Sequence, residues 1–303
     1  MNLELINSVM ESDSEITDGD LPLISLVVTC KNRLDYLKKS LPTFQKMSFT
    51  EIIVVDYSCE EGSGSWVREN YPQSQVVTVS VNDNEVFNLS RARNAGAKVA
   101  KGKFLFFIDA DVLIHLDLGM WFAKQLQSTP SSLHCTVNGQ LNRNLYGTHI
   151  CKKSDFNLVN LYDEAFIAWG SEDVDLYFRL MQLDIAEINF PEAALESLPH
   201  SNAIRQISKK SGGLGSIKAQ MIANRLYMNI KYDLEAFRNR PLDLLERQEI
   251  MKIVRDIFFK ELESSSSKSS RKIAINIPNR LFNRLDTRSH FTKQLVYEVH
   301  VNI

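Results

Sequence analysis

The stretch FLFFIDADVL, residues 104–113, limits what this chain can fold into more than any other. Its apolar, aromatic-rich start is short and reads as a buried strand rather than a helix. That strand runs straight into Asp109 and Asp111, which are separated by one small residue. Ionised carboxylates are costly to bury, so a pair at a strand end needs water, a cation or a basic partner. In open α/β sheets, ligands bind at the carboxyl ends of the strands. Two hard oxygen donors there suit Mg2+ or Mn2+, with phosphate oxygens completing the shell. The expectation is nucleotide chemistry.

The preceding residues supply the rest of such a sheet. LISLVVT (23–29), EIIVVD (51–56) and QVVTVSV (75–81) are β-branched runs, separated by helical patterns in LDYLKKSLPTF and near 64–70. Ser90 is the predicted cap of a helix through LSRARNAGAKVA, which leads into the strand before Asp109. This βαβαβαβ rhythm predicts an α/β fold with a mainly parallel sheet flanked by helices. Further on, 117–127 is helical and 132–151 holds mixed short strands. AFIAW (165–169) precedes Gly170 and an acidic helix start, SEDVDLYFRLMQL, with Ser171 as N-cap. IAEINF (185–190) reads as one more strand, followed by a loop from Pro191 to His200, and 215–262 is helical with a break near Pro241.

The expected organisation is an acidic leader over 1–22, an α/β domain over 23–203 and a helical C-terminal extension over 204–262. A Ser-rich linker over 263–270 and a basic tail over 271–303 complete it. From Ser264 onward, Lys268, Arg271, Lys272, Arg280, Arg284, Arg288 and Lys293 face Asp286 and Glu298. QLVYEVHVNI alternates as a half-buried strand does. The preferred reading is a strand arm on the main domain or on a second copy in a homo-oligomer; the other is a basic surface for an anionic membrane or acidic acceptor.

Composition narrows the classes. A net charge of −2 over 303 residues gives no global reason to expect nucleic acid. Cys30, Cys59, Cys135 and Cys151 form no CxxC pair, so reduced thiols acting as small fillers are expected. No apolar run approaches the roughly 20 residues of a membrane helix. Residues before Lys31 carry only acidic charge (Glu4, Glu11, Asp13, Glu15, Asp18, Asp20), unlike a signal peptide. A cytoplasmic protein with at most peripheral membrane contact is expected.

Taken in order, SLVVTCKNRLDYLKKSLPTF, EIIVVDYS, NLSRARNAGAKVAKGKFLFFIDADV and AWGSEDVDL resemble a GT-A glycosyltransferase of the family 2 type. The last segment is similar to the WG-x-ED motif of inverting galactosyltransferases and chondroitin-type polymerases. The resemblance covers roughly 23–203. It implies an inverting, metal-dependent transfer of a hexose or N-acetylhexosamine from a UDP-sugar to a glycan or glycolipid acceptor. Thr29, Lys31 and Arg33 then lie beside the nucleotide, Asp56 contacts uracil or ribose, and Arg93 and Asn94 line the donor site. Asp109 faces the ribose or donor sugar, while Asp111 and His200 hold Mn2+ or Mg2+. Asp173 is the general base, Glu172 and Gly170 meet the acceptor, and Trp169 stacks on its sugar ring. Lys209, Lys210, Gly212, Gly213 and Gly215 form a flap over the diphosphate. The turn after Asp56, Tyr57-Ser58-Cys59-Glu60, departs from the commoner Asp-Gly-Ser-Thr.

Each assignment has a plainer alternative: Asp56 as a turn cap, Trp169 as core, His200 as structural, Asp175 as a helix-dipole complement. Among whole-chain rivals, a haloacid-dehalogenase-type phosphatase places its DxD on the first strand, whereas three strand-like runs precede this one. A nucleotidyltransferase lacks its glycine-rich phosphate loop here. A non-catalytic sugar-nucleotide or glycan-binding module on the same fold has no use for a base at Asp173.

Overall fold

The computed structural model describes residues 23–80, 87–129, 133–137, 143–168, 170–199, 217–264, 270–282 and 293–300. The acidic leader, the flap residues Lys209, Lys210, Gly212, Gly213 and Gly215, and the site candidates Trp169 and His200 lie outside them. The chain forms two compact units: 1–83, 91–162 and 176–201 in the first; 84–90, 163–175 and 202–303 in the second.

In the first unit, β1 (Ile24–Cys30) is buried at every position, as a strand covered on both faces must be. Helix α1 (Leu34–Phe44) follows, burying Leu37, Leu41 and Phe44 at helical spacing. Then come β2 (Thr50–Asp56), α2 (Ser63–Asn70), β3 (Gln75–Thr78), α3 (Leu89–Val99) and β4 (Phe104–Asp109). Four strands, β3-β2-β1-β4, are parallel in that order. After them β5 (Val112–Ile114), α4 (Leu118–Ser128), β6 (Leu133–Thr136) and β7 (His149–Lys152) continue the chain. Helix α4 is capped by Asp117, whose carboxylate accepts from Met120 N–H at 3.0 Å. β7 adds to β4 antiparallel, β6 to β7 antiparallel, and β8 (Ala186–Asn189) closes that edge parallel to β6. The sheet is therefore mixed, with its parallel half at the amino-terminal end of the sequence.

Two expectations fail in this unit. Helix α3 begins at Leu89, so Ser90 lies inside its first turn; the buried Ser90 hydroxyl makes no hydrogen bond, and no cap. The loop expected from Pro191 onward contains β9 (Leu195–Ser197), which pairs antiparallel with β5. A three-residue strand reading Leu-Glu-Ser has too little period to be seen in sequence.

The second unit centres on α7 (Ile217–Arg238) and α8 (Leu244–Ser264), which follow α5 (Lys153–Leu158) and α6 (Glu172–Met181) in the chain. Asp243 and Glu246 form a reciprocal capping box at the start of α8, with bonds of 2.9 and 3.0 Å. In the tail, strand β11 (Lys293–His300) pairs antiparallel with β10 (Ser270–Ile277). Ile273, Ile275 and Ile277 of β10 are buried, while alternate residues face outward. The short α9 (Asn279–Phe282) adds Leu281 and Phe282 to the same core. Residues 163–175, expected within the first domain, belong to this unit, and Ala165 and Phe166 sit in its core.

Candidate active site

The register of the parallel strands brings most of the expected donor residues to one sheet edge. Thr29 is level with Asp109, and Cys30 with Asp56. Arg33 occupies the N-cap position of α1 and donates to Asp111 Oδ2 at 2.7 Å, with side chains only 13% and 7% exposed. Arg93 donates to Asp109 Oδ1 at 3.2 Å. Each carboxylate of the pair thus has its own guanidinium, which offsets the desolvation of charge at this edge. Lys31 is close by: its ammonium reaches the Tyr57 carbonyl at 3.4 Å and lies 5.5 Å from the Tyr57 ring centroid.

The β5–β9 ribbon leads the chain back to the same place. Leu198 N–H donates to the Asp111 carbonyl at 2.7 Å, and Tyr36 OH donates to the Pro199 carbonyl at 3.4 Å. The segment that precedes His200 therefore runs alongside Asp111. Asp109 and Asp111 offer hard oxygen donors that fit a divalent cation better than a soft metal. Among the described residues, no group of three or more His, Cys, Asp or Glu is arranged to hold a metal.

Three expected donor residues have structural partners. Asp56 accepts from Cys59 N–H at 2.8 Å and from Gly64 N–H at 2.9 Å, so it ties the turn to the start of α2. Only glycine fits at 64, because a Cβ there would lie 2.5 Å from Asp56 Oδ2. Arg93 is fully buried, donating also to Tyr162 OH and the Gly147 carbonyl. The Asn94 amide exchanges two 3.0 Å bonds with the backbone of Tyr162. Arg93 and Asn94 were expected to line the donor site. In the structure Arg93 holds Asp109 from a fully buried position, and Asn94 is tied to the backbone of Tyr162.

In the second unit, the Gly170-Ser171-Glu172-Asp173 segment has an unusual backbone. Ala168, Gly170 and Ser171 have φ of 62°, 97° and 75°. Such clustering is characteristic of segments whose shape is over-determined by their surroundings. The side chain of Asn224 on α7 donates to the carbonyls of Ile167 and Gly170, both at 2.9 Å. Glu172 is buried, whereas Asp173 is half-buried in the first turn of α6. Ser171 immediately precedes that helix, and its carbonyl accepts from Asp175 N–H at 2.9 Å.

Asp175 lies in the first turn of α6, where its charge suits the helix dipole, but it does more than that. It is fully buried and pairs with Lys231 of α7, which also bonds Asp163 at 3.2 Å. Tyr232 OH donates to Asp175 at 2.8 Å, Tyr227 OH to Asp163 at 2.7 Å, and Arg247 lies 3.3 Å from Asp163. Burial and the Asp163 charge push the Tyr227 phenol well above its usual range, which keeps it a neutral donor. No motif marks this network in the sequence, since its members are spread from 163 to 247.

Residues 25–150 match the model of glycosyl transferase family 2, and residues 131–205 match the N-terminal domain of galactosyltransferase. The chain carries a family 2 glycosyltransferase domain of the GT-A type. No curated protein sequence matches it. Among solved structures, S. aureus TarS 1-349 is 15% identical over 80% of this chain and 72% of its own, with a TM-score of 0.51. The same TarS fragment in complex with UDP is 16% identical with a TM-score of 0.52, over 80% and 72%. Its complex with UDP-GlcNAc is 17% identical with a TM-score of 0.50, over 75% and 70%. At these identities the likeness concerns the fold. The two matched segments of this glycosyltransferase include both the Asp109–Asp111 edge and the Gly170–Asp173 segment.

Proposed function

We propose that the chain is an inverting, metal-dependent glycosyltransferase that moves a hexose or N-acetylhexosamine from a UDP-sugar to a hydroxyl of a glycan or glycolipid. The observation that carries this reading is the pair of arginine-held carboxylates, Asp109 and Asp111, at the carboxyl edge of a family 2 sheet. The donor class is carried over from the UDP-GlcNAc complex of TarS 1-349. Arg33 presents a planar fork suited to a diphosphate, and Lys31 a second positive charge. Asp111, with His200 as a further ligand, would hold Mn2+ or Mg2+, whose Lewis acidity offsets the charge developing on the departing diphosphate.

Asp173 is the proposed base. An acceptor hydroxyl is a poor nucleophile, and a carboxylate that takes its proton during attack contributes about 10²–10⁴-fold in rate. The new C–O bond forms at the anomeric carbon as its bond to phosphate breaks, and the proton passes to Asp173. One displacement of this kind inverts the anomeric centre. Buried Glu172 orients the acceptor, and Trp169 stacks on it. The test is UDP release from a panel of UDP-sugars with and without acceptor glycans, followed by proton NMR of the product linkage. A β-linked product from an α-linked donor is expected; a retained α-linkage would refute the single-displacement mechanism.

A further inference from the structure

Within the second unit, residues 163–171 lead into α6 without forming a helix or a named strand of their own. Their carbonyls are not served by a regular ladder and need donors from elsewhere. Two asparagine side chains reach four of them. The Asn88 amide donates to the carbonyls of Glu164 and Phe166 at 2.8 and 3.2 Å. Its backbone also forms an isolated parallel bridge with Ala168. Asn224 of α7 is fully buried and donates to the carbonyls of Ile167 and Gly170, both at 2.9 Å. One cation fixes the two ends of the segment, since Lys231 pairs with both Asp163 and Asp175. A Cβ at position 170 would lie 2.9 Å from Met221 Cγ, which with a φ of 97° reserves the position for glycine. Ala168 and Ser171, at φ of 62° and 75°, occupy a region that residues with side chains seldom adopt. Such a conformation persists only where its surroundings over-determine it. The two carboxamides and the lysine do so here.

We propose that Asn224 and Asn88 are positioning residues for the acceptor half of the reaction. They clamp residues 164–170 and thereby aim Glu172 and Asp173, which rests on the reading of Asp173 as base. A base must lie within hydrogen-bond reach of the proton it takes, and a misplacement of about 1 Å can cost about 10²-fold. Asparagine suits the task. Its NH2 group carries two protons for two carbonyls, and it brings no charge to be desolvated. Alanine at either position removes the donor and leaves two carbonyls to find other partners.

The experiment compares the full chain with Asn224→Ala and Asn88→Ala, using UDP-GlcNAc as donor and p-nitrophenyl hexosides as acceptors. Both variants are expected to lose at least about tenfold in acceptor-dependent kcat/KM. UDP affinity in Mn2+ and UDP release without acceptor should stay within about twofold of wild type. Peptide-resolved hydrogen exchange should quicken over 163–175 and stay unchanged over β1, β2 and β4. The double variant should lose little more than the worse single one, because both side chains act on one segment. Equal losses in UDP affinity and in acceptor kinetics would reduce the asparagines to a general structural role and overturn the proposal. Wild-type acceptor kinetics in the variants would overturn it as well. Should Asn224→Ala fail to fold, the half-buried Asn88 carries the same test alone. Failure of the underlying function shows in the wild-type protein, as absent UDP binding or absent transfer. Exchange then decides the clamp, and an unquickened 163–175 in the variants overturns it.

Discussion

The 2.7 Å bond between Arg33 and Asp111 joins residues 78 apart in sequence and defines the site at its smallest scale. It couples the loop after β1 to the end of the DxD segment, so a ligand for either group must be one that both tolerate. A diphosphate with a cation meets that condition, because the anion suits Arg33 and the cation suits Asp111. Asp173 makes a separate claim. The Asp173→Asn variant is expected to keep its UDP affinity while UDP release in the presence of acceptor falls by at least about 10²-fold. Equal loss of affinity and turnover would remove Asp173 from the role of base. At this scale the sequence was most legible where a carboxylate ends an apolar strand, as at Asp56 and Asp109. It was least legible where burial matters: Arg93 on α3 is fully buried and paired with Asp109.

Among the elements, α7 contributes what the sequence did not reveal. Lys231 neutralises both Asp163 and Asp175, and so ties the turn before AFIAW to the first turn of α6. Removing one partner of a buried ion network strands the others. Lys231→Met is therefore expected to cost about 3–5 kcal/mol in urea-induced unfolding. Lys231→Met with Asp175→Asn should recover part of that loss, because one stranded charge is gone; a double variant less stable than the single would contradict the account. The long apolar runs β1, β2 and β4 were readable because their residues are buried on both faces. The alternation in β10 was also present, but it follows a Ser-rich stretch whose composition read as linker. Pairing with β11 is a non-local fact that neither strand states alone.

Over the whole molecule, stability depends on buried histidines as well as on the apolar cores. His134 of β6 is driven down to about 4 by burial, and His149 of β7 is likewise held well below its usual range. In the unfolded chain both titrate near 6.5, so between about 6.5 and 4 the unfolded state binds protons that the folded state refuses. Stability is then whole above about pH 6.5 and falls as the pH drops, by up to about 1.4 kcal/mol per pH unit for each histidine. His134→Phe should flatten the acid limb of a melting-temperature profile, and an unchanged limb would show that this ring is not responsible. No described helix is long and apolar enough to cross a membrane. The central claim, a UDP-sugar site at the edge holding Asp109 and Asp111, is tested most directly by calorimetric titration of UDP into the protein. Binding is expected with Mn2+, and it should be lost with EDTA and in Asp111→Ala. Absence of UDP binding in Mn2+, or binding of equal strength in all three conditions, would contradict it.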